Sequence, residues 1–148
     1  LNIELKPSDN GELLAKNTVR LIEKYNMVND CVITSFSNSA LQAVKSYNEN
    51  IKVGYILSAA YGDFYDMKNI DFFSINAAFL SKRTIDAIHN SGKRVYAWTV
   101  NNKESIKNLT NKGVDGIITD NPVLARETIY SRDTSETIIN MIRYVFNQ

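Results

Sequence analysis

Short apolar runs alternate along the chain with longer stretches in which apolar residues recur at helical spacing. Leu1–Lys6, Cys31–Phe36, Lys52–Leu57, Ile70–Ile75, Arg94–Val100 and Val114–Thr119 read as six strands. Asp9-x-x-Glu12 reads as a capping box that opens a helix near residues 10–26, with Leu14, Leu21, Ile22 and Tyr25 as its single apolar face. Ser37-Asn38-Ser39 offers N-caps for a helix carrying Leu41 and Val44, and Ser81 caps one that runs through His89 to a stop at Gly92. Another helix carries Ile106 and Leu109 and ends at Gly113. Pro122 suits a first helical turn, and Ile138, Ile142 and Val145 mark a last helix over Ser135–Phe146. Ser58–Asn69 has aromatics and Gly62 but no period, which predicts a loop with at most one short helix.

Strands that alternate with helices imply a parallel sheet with helical crossovers. Runs such as Gly116-Ile117-Ile118 are continuously apolar, as strands buried on both faces are. The fold class is therefore α/β, with about six parallel strands. Pattern alone leaves two architectures open, a partial TIM-type (β/α)8 barrel and a doubly wound open sheet. Six units fall short of a closed barrel, which takes roughly 250 residues. Leu1-Asn2-Ile3 already reads as the inside of a strand, so residue 1 is expected to be a cut point in a longer chain.

Composition narrows the function classes. With 148 residues, 44% of them hydrophobic, the chain carries enough apolar material for one cored domain. A formal net charge of +1 gives no electrostatic footprint for nucleic acid. The lone cysteine, Cys31, excludes an internal disulfide framework and opens an apolar run, so it reads as a buried structural thiol. No apolar run approaches the roughly 20 residues of a membrane span, and no signal peptide is visible.

Chemistry in parallel α/β folds gathers at the C-terminal ends of strands. That rule selects Glu4 and Lys6, Thr34 and Ser35, Ser74 and Asn76, Trp98 and Asn101, and Thr119 and Asp120. Alternation puts Glu4 and Lys6 on one strand face and Ile3 and Leu5 on the other. Two readings stand for that pair: a solvated ion pair on an edge strand, or a hard-metal ligand beside a phosphate-binding cation. Trp98, the one tryptophan, serves equally as rim packing or as a ligand-stacking surface. His89, the one histidine, sits just before a helix stop, away from any strand end, and has no second histidine to form an acid–base pair. Asp120 reads as a loop or capping residue.

Four motifs occur in order: Leu1-Asn2-Ile3-Glu4-Leu5-Lys6, Val32-Ile33-Thr34-Ser35-Phe36, Val95-Tyr96-Ala97-Trp98-Thr99-Val100-Asn101 and Gly113-Val114-Asp115-Gly116-Ile117-Ile118-Thr119-Asp120. Their order and spacing resemble the later half of glycerophosphodiester phosphodiesterases. The run from Asn121-Pro122 to Phe146 resembles the Gram-positive subset of that family, which is fused behind membrane-spanning segments. The resemblance implies that residues 1–148 are the C-terminal part of such a barrel, with the N-terminal barrel segment absent. It also implies a parent enzyme that hydrolyses glycerophosphodiesters to glycerol 3-phosphate and an alcohol, aided by a divalent cation, Ca²⁺ or Mg²⁺. On this basis Glu4 is a metal ligand, Lys6 contacts the phosphate and Trp98 lies against the glycerol.

The family's His-Arg-Gly motif, two further acidic ligands and a second histidine have no counterpart here, so these residues alone are expected to hold no catalytic residue and to be inactive. A cut barrel is expected to pair with itself as a homodimer or swapped oligomer. The alternative is a non-catalytic half-barrel that binds a partner or a phosphorylated ligand; a flavodoxin-like signalling domain lacks the early strand-end aspartate it needs. Ser74-Ile75-Asn76 departs from a turn common in soluble members, and with the Tyr61–Tyr65 loop it leaves the substrate alcohol open.

Overall fold

The computed structural model describes residues 1–131, so the helix expected over Ser135–Phe146 lies outside the described residues. Six strands form one sheet: β1 (Asn2–Glu4), β2 (Val32–Ser35), β3 (Lys52–Leu57), β4 (Phe72–Asn76), β5 (Arg94–Trp98) and β6 (Gly116–Ile117). Four helices connect them: α1 (Gly11–Lys24), α2 (Asn38–Tyr47), α3 (Lys82–Asn90) and α4 (Lys103–Lys112); residues 122–131 are helical again. Spatial order equals chain order and every pairing is parallel. A doubly wound sheet reverses its strand order at a switch point. No reversal occurs here, and the curled sheet is a half-barrel.

The register sorts the side chains into two layers. Ile33, Val53, Phe73, Ile75, Val95 and Ala97 face outward and are fully buried under Val19, Leu41, Val44, Ile85, Ile88 and Ile106 of the helices. The inner layer is filled by Phe72 and Tyr96, whose rings lie 4.8 Å apart. Gly54 makes room for Phe72, because a Cβ there would sit 2.1 Å from that ring. The stretch after β3 replaces a crossover helix with a short 3-10 turn, Phe64–Asp66, whose Phe64 packs edge-on against Phe73 at 5.0 Å.

Helix signals hold where a side chain caps the first turn and fail at α1. The Ser37 and Ser81 hydroxyls accept from the Ala40 and Thr84 N–H groups, and Gly113 closes α4 at φ 95°. The capping box at Asp9 does not form: the N-cap is Asn10, without a side-chain cap bond. The predicted face also splits. Ile22 is buried with Ala15 and Val19, while Leu14, Leu21 and Tyr25 stay exposed at 39%, 55% and 64%. Ala15 and Val19 can approach the sheet closely, and the larger residues point elsewhere. Cys31 is buried, as expected for a structural thiol.

Candidate active site at the barrel mouth

At β1 the pleat turns Asn2 and Glu4 toward the barrel interior and Ile3 and Leu5 toward the helices. The Leu5 N–H donates to the Thr34 carbonyl at 2.8 Å, and the Leu5 carbonyl accepts from the buried Ser35 hydroxyl at 2.6 Å. Ser35 Oγ also accepts from the Ser37 N–H at 3.0 Å. This knot pins the end of β1 to the start of α2, and Lys6 leaves the sheet just beyond it.

Lys6 Nζ lies 3.5 Å from Glu4 Oε1, with the two side chains 83% and 39% exposed. A pair so open to water contributes about 0–1 kcal/mol and locks neither partner. Both groups can therefore turn to a ligand at little cost.

Across the mouth stands Trp98, four strands away in sheet order but brought opposite by the curl. Its Nε1–H donates to the Ser74 carbonyl at 3.0 Å, and its ring meets the Phe36 ring edge-on at 6.2 Å. The Trp98–Thr99 peptide bond is cis. Glu4, Lys6, Thr34, Phe36, Ser74 and Trp98 line one cleft of about 380 Å³. With Thr99 also in the lining, its walls carry one carboxylate, one ammonium, three hydroxyls and two aromatic rings. That set can hold an anionic group at one side and an apolar or polyol face at the other.

Asn2 also lines this cleft, and its Oδ1 accepts from the Thr34 hydroxyl at 3.0 Å. Sequence reasoning passed over Asn2, although its place two residues before Glu4 puts it on the same face. Asp120 does not cap. It accepts from Asn101 Nδ2 at 2.7 Å, and the cap belongs to Asn121, whose Oδ1 accepts from the Leu124 N–H at 3.1 Å. His89 stands at the other end of the strands, 2.9 Å from Asp115 Oδ2, which also accepts from the Val95 N–H at 2.8 Å. Asp71 repeats the device, accepting from the Val53 N–H at 2.7 Å and pairing with Lys45 at 2.8 Å. These two clamps tie strand starts to helices and lie apart from the cleft.

Among the described residues, no three acidic, histidine or cysteine side chains gather to hold a metal ion, so Glu4 offers a single carboxylate. Nor is any described helix long and apolar enough to cross a membrane.

A sequential parallel half-barrel with a polar cleft at its strand ends is the architecture of TIM-barrel enzymes. The chain belongs to the glycerophosphoryl diester phosphodiesterase family, whose sequence profile matches residues 2–124. It is 26% identical over 150 aligned residues to a glycerophosphodiester phosphodiesterase of Caldanaerobacter subterraneus subsp. tengcongensis, covering 97% of this chain and 55% of that protein. A phosphodiesterase structure from Oleispira antarctica, in complex with the product sn-glycerol-3-phosphate, superposes with a TM-score of 0.79 at 26% identity, covering 87% of this chain and 54% of that one. A glycerophosphodiester phosphodiesterase structure from Parabacteroides distasonis shares the fold, with a TM-score of 0.82 at 19% identity over 90% of this chain and 58% of that one. The chain spans about half the length of these relatives.

Proposed function

We propose that these residues are the C-terminal part of a glycerophosphodiester phosphodiesterase domain and supply the substrate-holding side of its active site. The reaction is hydrolysis: the oxygen of water bonds to phosphorus, the bond from phosphorus to the alcohol oxygen breaks, and glycerol 3-phosphate and the alcohol leave. One observation carries this reading. Glu4 on β1, Lys6 just past its end and Trp98 on β5 line the same cleft at the strand ends.

In this reading Lys6 meets the phosphate as a point charge, which stabilises the extra negative charge of the transition state. Trp98, fixed by its bond to the Ser74 carbonyl and by Phe36, presents a flat wall to the glycerol carbons. Glu4 contributes one carboxylate oxygen to a divalent cation, Ca²⁺ or Mg²⁺, which neutralises phosphate charge when bound. Proton transfer needs groups these residues do not place in the cleft, since the one histidine, His89, is occupied at the opposite end. The 148-residue chain alone is accordingly inactive, and the acid–base groups belong to a barrel segment outside it. In isolation its open sheet edges favour a dimer or swapped oligomer, which light scattering across a concentration series detects. Membrane attachment, in the parent protein, lies outside the described residues.

The test is release of glycerol 3-phosphate from glycerophosphocholine by the parent enzyme. Lys6→Ala is expected to lower turnover about 10²-fold, the usual loss for one transition-state charge contact. Unchanged turnover removes Lys6 from the phosphate site. Binding of glycerol 3-phosphate by the parent without any hydrolysis points instead to a binding module.

A further inference from the structure

The wall of the cleft that carries Trp98 is held by a group outside the cleft. The ladder between β5 and β6 is short: Tyr96 pairs with Gly116 and Ala97 with Ile117. The Ile118 N–H then donates to the Ala97 carbonyl at 2.8 Å. In a regular parallel ladder the Ile118 carbonyl would next accept from residue 99. Here it accepts from the Val100 N–H, at 2.9 Å. Thr99 is therefore an extra residue, bulged out of the ladder, and it lines the cleft beside Trp98 and Ile118. Beyond this bulge one carboxamide ties the segment to the end of β6. Asn101 Oδ1 accepts from the Asp120 N–H at 2.9 Å and from the Thr119 hydroxyl at 3.1 Å, while Asn101 Nδ2 donates to Asp120 Oδ2 at 2.7 Å. The Thr119 hydroxyl oxygen in turn accepts from the Asn121 N–H at 3.0 Å. Both heteroatoms of the Asn101 amide are engaged, and Asn101 does not itself line the cleft.

We infer that Asn101, with Asp120 as its partner, is a positioning residue of the cleft: it fixes the Trp98–Thr99 wall against which the substrate's glycerol end lies. The glycerol in that statement rests on the proposed function; the clamp does not. The wall is then gripped from both neighbouring strands, by the Ser74 carbonyl of β4 on the Trp98 ring and by Asn101 on the residues after β6. Asn101 and Asp120 are exposed, so the clamp acts locally and its loss leaves the buried core intact. Its effect on catalysis has a direction. A wall that meets the substrate equally before and during the reaction supplies uniform binding, so loosening it raises KM and leaves kcat. A variant that merely unfolds in part does the reverse, because fewer intact molecules turn over at an unchanged KM.

Trp98 is the one tryptophan of the chain, so fluorescence excited outside the tyrosine band reads this wall alone. In the 148-residue chain, Asn101→Ala is expected to lower the anisotropy of Trp98 and to open it to acrylamide quenching, with an unchanged far-ultraviolet circular dichroism spectrum. In the parent enzyme the same substitution is expected to raise KM for glycerophosphocholine about tenfold while kcat stays within about threefold. The direction of the hydrogen bond supplies the rescue. Asn101→Asp alone sets two acceptors against each other at the 2.7 Å contact and is expected to fail as Asn101→Ala does. Asn101→Asp with Asp120→Asn restores a donor and an acceptor in reversed order and keeps an oxygen for the Thr119 hydroxyl, so it is expected to return both anisotropy and KM. Unchanged Trp98 fluorescence in Asn101→Ala, a fall in kcat at constant KM, or a double variant no better than Asn101→Asp overturns the inference. Fluorescence that changes and is restored as expected, in a parent that releases no glycerol 3-phosphate, leaves the clamp standing and counts against the function.

Discussion

Two tyrosines show how single side chains couple this chain to pH. Tyr65 donates to Asp63 at 2.6 Å, and that bond, with burial and the charges of Asp63 and Asp66, holds its hydroxyl above the ordinary tyrosine range against a smaller opposing effect of Arg83. Tyr47 is raised by burial first and then by its bond to Glu12. A raised folded value means that the unfolded chain ionises first as pH climbs. Stability from these groups is whole below the ordinary tyrosine value and is lost as pH rises through the folded one. Tyr65→Phe is therefore expected to flatten the alkaline loss of stability, read by urea denaturation on either side of the tyrosine range. Asp115 acts by geometry instead. Its removal strands the Val95 N–H on a fully buried strand residue, so Asp115→Ala is expected to cost about 1–3 kcal/mol in the same denaturation experiment.

At the scale of elements, the β3–β4 pair is held by a glycine and a ring. Gly54 and Phe72 are register partners, and any side chain at 54 meets a carbon of the fully buried Phe72 ring at 2.1 Å. Gly54→Ala is expected to destabilise the protein by about 1–3 kcal/mol or more, and Phe72→Leu in the same chain to recover part of it. This contact was not legible in the sequence, where Lys52–Leu57 was a strand and Gly54 merely a residue in it. Strand identity was legible because a two-faced burial leaves continuous apolar runs, and β3 matches its predicted bounds. The Leu14, Leu21 and Tyr25 face of α1 was misread for a related reason. Periodicity reports that a stripe exists, not which of two neighbours it meets, and α1 carries one stripe for the sheet and another for its flank. The cleft was legible in part: of the ten residues that the strand-end rule selected, Glu4, Lys6, Thr34, Ser74 and Trp98 line it, and the roles of Glu4, Lys6 and Trp98 came from the family resemblance alone. The clamps at Asp71 and Asp115 were not, because a lone aspartate before a strand has no pattern to announce it.

For the whole molecule, the decisive feature is that its proposed site is divided. Ca²⁺ takes 6–8 oxygen ligands and Mg²⁺ a strict octahedron, while the described residues of this half-barrel bring one carboxylate to the cleft. One exposed carboxylate, already shared with Lys6, cannot repay the dehydration of a hard cation, so the 148-residue chain is expected to show no saturable binding of either ion at micromolar concentration by calorimetry. On the proposed reading, the same carboxylate completes a fuller ligand set in the longer parent enzyme. There Glu4→Gln keeps the size of the side chain and removes its charge, and it is expected to raise the cation concentration needed for half-maximal activity by about tenfold or more, the loss typical even of groups that only orient a ligand. The two measurements must differ for a divided site to be real. Tight cation binding by the chain alone, lost in Glu4→Gln, places a whole metal site within it, whereas a parent enzyme indifferent to the substitution takes Glu4 out of the metal site altogether.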